Sequence, residues 1–253
     1  MGFVLCMITE HMSKLKIGII GFGQMGQFMA KHLSRDHDVM VSDVVDMGDE
    51  AERLGFSFES TEKVAQSDLV MLFVPIAAME ETCERIKDHL KPGSIVMDGC
   101  SVKVNPGKVM EKVLPKYVEL LGCHPLFGPQ SGRDGIKGLQ IVLCDIRCSR
   151  IVEVRKIFTD LDLIVVEMSA EEHDRQMAKT QALELFLGRI LIKMGAAAGK
   201  ISTPGFDKLL EVKQMLEEDS DELFFSIQRE NPFAQDIRDQ VKKEMMRIDG
   251  EIK

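Results

Sequence analysis

Residues 16–43 read KIGIIGFGQMGQFMAKHLSRDHDVMVSD, and their order of parts decides the fold. Ile17-Gly18-Ile19-Ile20 is a short apolar run of the length of a buried strand. It enters Gly21-Phe22-Gly23-Gln24-Met25-Gly26, then a stretch in which Phe28, Met29 and Leu33 share one helical face. A second apolar run, Val39-Met40-Val41, ends in Ser42-Asp43. The spacing predicts strand, glycine turn, helix, strand and acid. Gly21 allows the turn, Gly23 lets a pyrophosphate approach the backbone, and Gly26 lets the helix lie on the strands. The helix's first amides have no internal partner, so this end attracts phosphate. Asp43, twenty-two positions on (43 − 21), is placed to hold ribose hydroxyls and to repel the extra phosphate of NADP, which favours NAD. A bare G-x-G-x-x-G also occurs in ordinary turns; the strand before it, the helix after it and the acid make it a fingerprint.

The 253 residues suffice for one large or two modest domains. Hydrophobic content of 45% with 29% charge is that of a globular protein. A net charge of −9 argues against nucleic acid or an anionic membrane as partner, so an anionic substrate needs a local concentration of basic residues. Cysteines at 6, 83, 100, 123, 144 and 148 form no CxxC pair, which gives no metal site and reads as reduced thiols in a cytoplasmic protein. Cys144 and Cys148 read as strand-end packing, and Cys123 has no base placed to make it a nucleophile. The apolar start GFVLCMI lacks a basic lead-in and is too short to span a bilayer; residues 1–13 are expected to be an N-terminal extension, with Met12 a possible alternative start.

Further along, Asp68 to Val74 is a buried strand ended by Pro75, and Val74 and Pro75 should face the cofactor. Met79 to Leu90 is an amphipathic helix stopped by Lys91-Pro92-Gly93. Strand 94–98 delivers Gly99-Cys100-Ser101-Val102-Lys103; a helix follows near 106–113, and strand 118–122 delivers Cys123-His124-Pro125-Leu126-Phe127-Gly128-Pro129. Runs 139–144 and 163–166 are further strands around a helix at 151–160. After Ser169, an N-cap with Glu172 at capping-box spacing, helical patterns take over. The expected fold class is α/β: a doubly wound, mainly parallel Rossmann-type sheet over residues 14–168, then a smaller all-helical domain over 169–253.

Ligands of such sheets sit outside the strands' carboxyl ends, where the Ser101 and His124 loops arrive. An imidazole held between a strand and a proline, with an ordinary pKa near ~6.5, suits proton exchange, and Ser101 can hydrogen-bond the same substrate oxygen. The bland alternative for His124 is a capped strand end. His11, His32, His37, His89 and His173 lie in the leader, on helices or at turns and read as solvated or structural.

HPLFGPQSG, the upstream CSVK, GFGQMG and the helical EEHDRQMAKTQ with Gly188-Arg189 resemble the prephenate and arogenate dehydrogenases of tyrosine biosynthesis; STPGFDKLLE and ELFFSIQRENPFA resemble the same family's C-terminal half. The likeness runs from about residue 14 to about 240 and is most specific at HPLFGP. It implies oxidative decarboxylation of a cyclohexadienol with NAD, His124 and Ser101 as catalytic groups at the 4-hydroxyl, and a homodimer formed through the helical domain. Leu183, Leu187, Ile190, Leu191 and Met194 form an apolar surplus consistent with that. Leu185 stands where relatives often have a second histidine, and the segment through Glu211 offers no arginine for a substrate carboxylate. Lys103, Gln130, Arg133, Lys179 and Arg189 are the substrate-binding candidates. Rival readings are another NAD(P) oxidoreductase, which HPLFGP disfavours, and a relative that binds nucleotide without turnover.

Overall fold

The structure is a computed structural model that describes residues 14–217 and 220–252; the N-terminal extension lies outside them. In chain order it runs β1 (Lys16–Ile20), α1 (Gln24–Leu33), β2 (Asp38–Ser42), α2 (Gly48–Leu54), β3 (Ser57–Phe58), α3 (Thr61–Val64), β4 (Leu69–Leu72), a 3₁₀ turn (Ile76–Ala78) and α4 (Met79–Ile86). It continues through β5 (Ile95–Asp98), α5 (Val104–Val113), β6 (Glu119–Pro125), β7 (Gln140–Arg147), α6 (Ile151–Asp160) and β8 (Ile164–Glu167). Then come α7 (Ala170–Met177), a π turn (Ala178–Ala182), α8 (Leu183–Lys193), α9 (Pro204–Glu217), α10 (Asp221–Glu230) and α11 (Ala234–Ile252).

The eight strands form one sheet in the order β3-β2-β1-β4-β5-β6-β7-β8. Every pairing is parallel except β6 with β7, which are joined by residues 126–139 without a crossover helix and so turn back antiparallel. The order doubles back between β1 and β4, the switch point at which such sheets bind ligands.

Strand side chains alternate between two cores. Ile17 and Ile19 of β1, Leu69 and Met71 of β4, and Ile95 and Met97 of β5 pack with Met29 and Leu33 of α1 and Ile157 and Phe158 of α6. Ile20, Val70, Leu72 and Val96 point the other way, against Met79, Cys83 and Ile86 of α4 and Met110 of α5. Met79, Cys83 and Ile86 recur at i, i+4 and i+7, the helical period of one buried face. Each such side chain contributes about 1.5–3 kcal/mol when fully buried, so both faces of the sheet are anchored.

The last helices share a third core of Ala182, Leu185, Leu216, Phe224, Ile227 and Ala234. Gly188 of α8 lets α9 approach so closely that a Cβ there would lie 2.0 Å from the Leu216 side chain. Ser169 caps α7 by accepting from the Glu172 amide.

Candidate active site

The cofactor cradle is built by backbone. Gly21 sits at φ +96, and a Cβ on it would lie 2.2 Å from the Phe73 carbonyl oxygen at the end of β4. Gly26 packs α1 onto the turn, where a Cβ would come within 2.0 Å of the Gly21 oxygen. Gly23, the N-cap of α1, has nothing within 4 Å of its notional Cβ, and no side chain caps the helix. These three positions do what the fingerprint requires: turn, close packing and an open approach to free amides.

Phe22 contributes backbone alone, since its ring is buried edge-on to Phe56 with centroids 5.9 Å apart. Gln24 and Met25 occupy the first turn of α1, and Gln27 Nε2 donates to the Phe22 oxygen at 2.9 Å. Asp43, just beyond β2, accepts from the Phe22 amide at 2.6 Å and from the Val45 amide at 3.1 Å, which ties the acid to the glycine turn. Val74 and Pro75 follow β4 beside Gly21, with Val74 Cγ1 3.2 Å from that glycine's notional Cβ. The residues fit a dinucleotide: an uncapped helix start, an open glycine and an acid at the neighbouring strand tip.

His124 lies inside β6, not in a loop beyond it. β6 runs to Pro125 because β7 pairs with it as far as Pro125↔Ile141, and His124 stands opposite Val142. Its Nδ1 is 2.9 Å from Nε2 of His173, whose Nδ1 is 2.8 Å from Asp174 Oδ1. All three side chains are buried. Of the two expectations for His173, solvated or structural, burial removes the first: α7 docks against α5 and carries His173 under the sheet's carboxyl end. Burial, then the His173 ring and the Lys103 ammonium, push the His124 pKa well below its usual value, so the ring is neutral at neutral pH.

Asp174 also accepts the amides of Lys103 at 2.8 Å and Val104 at 2.9 Å, fastening the start of α5. Asn231 Nδ2 holds the Asp174 carbonyl at 2.8 Å, and Asn105 Nδ2 donates to the Glu230 carbonyl at 2.9 Å. At the other end of the same loop the Cys100 amide donates to Asp98 Oδ1 at 3.0 Å. Ser101 thus sits, half-buried, on a loop pinned on both sides.

Lys103 does not reach outward to a substrate carboxylate. Its fully buried ammonium bonds Asp98 Oδ1 and, at 2.6 Å, the carbonyl of Cys123, the residue before His124. Burial, the largest influence, opposes its charge, but Asp98 together with Cys100 and Cys123 raises its pKa overall. The reason is local: Asp98 ends β5 in the interior, and an unpaired carboxylate there is costly.

The other candidates are scattered. Gln130 and Arg133 are exposed on the loop after β6, Arg133 only 3.6 Å from its neighbour Asp134. Lys179 lines an open groove of about 520 Å³ with Leu183, Ile237, Val241 and Met245. Arg189 is committed within the helical part, to Asp221 and over the Phe224 ring at 4.5 Å. Leu185 belongs to the helical core. Reading the sequence missed His173, Asp174 and Asp98; the adjacent His-Asp pair after a capped helix start was the available signal.

A doubly wound sheet with this cradle at its switch point, followed by a helical unit, defines a dinucleotide-binding protein of the Rossmann type. Residues 29–155 match the family described as prephenate dehydrogenase, nucleotide-binding domain, and the chain belongs to that family. Residues 190–253 match the TYRAAT1-like, C-terminal domain. Arogenate dehydrogenase 2, chloroplastic, of Arabidopsis thaliana is 33% identical over 88% of this chain and 65% of its own length. Arogenate dehydrogenase 1, chloroplastic, of the same plant is also 33% identical over 88% of this chain, but over 37% of its own length. The chain thus spans less than two thirds of either relative. A crystal structure of prephenate dehydrogenase from A. aeolicus with hydroxyphenyl propionate and NAD+ has the same fold, with a TM-score of 0.78 at 21% identity over 95% of this chain and 91% of that one.

Proposed function

We propose that the protein oxidatively decarboxylates prephenate or arogenate with NAD. The observation that carries this reading is a neutral, buried imidazole at the carboxyl end of β6 in a sheet whose switch point holds an open, acid-flanked glycine cradle. The α1 amides would hold the pyrophosphate of NAD and Asp43 its ribose, and the bound nicotinamide would supply a hydride acceptor. His124 accepts the proton of the substrate's ring hydroxyl as hydride leaves the same carbon, and Ser101 orients that oxygen. Carbon dioxide departs, its bonding electrons make the ring aromatic, and His124 returns the proton to the oxygen, so the product is a phenol and no net proton is lost.

Among the substrate-binding candidates, Arg133 and Gln130 are on the loop that follows β6, the strand that carries His124, and keep exposed heads; we assign the substrate's carboxylate side to them rather than to Lys103 or Arg189. Lys179 fits better in a homodimer contact, together with exposed Met194, Met245, Ile248 and Ile252 of the helical part. Residues 14–168 act as the nucleotide domain and 169–253 as the substrate and dimer domain. Among the described residues no helix is long and apolar enough to cross a membrane, and the five described cysteines are buried and unpaired, which supports a reducing, cytoplasmic setting.

The test is the appearance of reduced nicotinamide when the purified protein receives NAD or NADP with prephenate or arogenate. His124→Asn should lower kcat by about 10²–10⁴-fold. Equal rates would remove the role given to His124, and no turnover with any of the four pairs would leave a nucleotide-binding protein without this activity.

A further inference from the structure

Asp174 fixes where every proton in the buried cluster lies. A carboxylate has no hydrogen to give, and the two backbone amides at its oxygens can only donate, so the third contact, His173 Nδ1 at 2.8 Å, must carry a proton. In a neutral ring the Nε2 of His173 then holds a lone pair. It faces His124 Nδ1 at 2.9 Å, which must in turn hold a proton to make that hydrogen bond. The remaining nitrogen of His124, Nε2, is left bare.

We propose that His173 and Asp174 are positioning residues that lock His124 in the tautomer with a free Nε2 and give its proton a second resting place during turnover. This deepens the reaction proposed above and rests on it for the turnover step alone. As the substrate O–H bond breaks and an N–H bond forms at His124 Nε2, the Nδ1–H bond of His124 breaks and one forms at His173 Nε2. The positive charge then lies on His173 against Asp174. The steps run in reverse when the phenolic oxygen recovers its proton, so protons are conserved and no electrons are exchanged with the rings.

The surroundings favour that direction. His124 is faced by His173, which Asp174 of α7 holds, and by Lys103 of the Lys103–Asp98 pair at the end of β5. The Lys103 cation disfavours a charge resting on His124. His173 is held directly by the carboxylate that also fastens α5, so the charge ends beside the only anion hydrogen-bonded to either ring among the described residues. Because Asp174 also holds the Ser101 loop, the same residue sets the base and its neighbouring hydroxyl.

The experiment uses the full chain labelled with ¹⁵N-histidine, read by long-range ¹H–¹⁵N correlation at neutral pH without substrate. Both His124 and His173, assigned from the His124→Asn and His173→Gln spectra, should carry hydrogen on Nδ1. His173→Gln keeps an oxygen to accept from His124 Nδ1 but cannot take the proton; it should keep the His124 tautomer and lower kcat by roughly tenfold or more. His173→Leu should mix the His124 tautomers and lower kcat by about 10²-fold or more, with KM for NAD unchanged. Asp174→Asn should let the His173 ring flip and lower kcat by about as much as His173→Leu, on the order of 10²-fold. A wild-type His124 with hydrogen on Nε2, or His173 variants with wild-type kcat and pH profile, would overturn the proposal. The tautomer readout needs no turnover: the expected tautomers with no activity on prephenate or arogenate would refute the reaction and retain the lock.

Discussion

Removing the ammonium from the Asp98–Lys103 pair should unmask a buried charge. Both side chains are fully buried, Asp98 Oδ2 already has no hydrogen-bond partner, and without Lys103 the carboxylate keeps only Cys100, through its amide and its thiol. Breaking one side of a buried pair costs about 3–5 kcal/mol. A second route gives the same scale: the orphaned carboxyl escapes by taking a proton, which at pH 7 costs about three pKa units above an ordinary aspartate, or about 4 kcal/mol. At pH 5 the same escape costs only about 1.5 kcal/mol. Lys103→Met, which preserves most of the buried stem, should therefore lose about 4 kcal/mol at pH 7 and less than half of that at pH 5, while Asp98→Asn/Lys103→Met should lose less than the single change at pH 7. Urea denaturation of the wild type, both single variants and the double variant at the two pH values measures it, with the slope m showing that the unfolded reference is unchanged. A Lys103→Met penalty below about 1 kcal/mol, or one independent of pH, would refute the reasoning that an uncompensated Asp98 carries the cost.

The glycine cradle separates folding from binding. Gly23→Ala should leave stability within about 0.5 kcal/mol, because its Cβ meets nothing, yet weaken NAD at least tenfold by calorimetry; Gly26→Ala should cost about 1–3 kcal/mol through its clash with the Gly21 oxygen. Asp43→Asn should weaken both cofactors by loosening the Phe22 amide contact while shifting the NADP-to-NAD affinity ratio about tenfold or more toward NADP, read by titrating each. Burial lowers the pKa of His32, His37 and His124 in the folded protein, so the unfolded chain binds protons first as pH falls. Stability should be full above about pH 6.5 and decline below it, and His124→Asn should flatten the slope of unfolding free energy against pH between about 5 and 6.5 by up to about 1.4 kcal/mol per unit.

What the sequence makes legible is whatever has a local steric cause. Gly21, Gly23 and Gly26 can be assigned separate tasks from their spacing because a side chain at each has a different consequence within a few residues; Gly21 and Gly26 act as assigned in the turn and its packing, and Gly23 leaves open space at the helix start. The alternation of β1, β4 and β5 between two cores is likewise a property of short apolar runs. Strand β6 is harder to read, since its last three residues become strand only through pairing with β7, a partner set by the length of the loop between them. Polar residues are hardest. Lys103 looks like a substrate-binding cation in a polar loop, and only the inward placement of Asp98 five residues earlier turns it into the core. His173 sits in AEEHDRQM, a stretch with so many charges that nothing in its periodicity announces a buried face; it is buried because Asp174 caps a helix some 70 residues earlier in the chain. A helix start leaves backbone amides unsatisfied, and a distant carboxylate that satisfies them also fixes the side chain next to it. Two imidazoles and an acid brought together in that way owe their alignment to a capping requirement of α5, which is why a substitution at Asp174 should disturb the Ser101 loop and the His124 ring together.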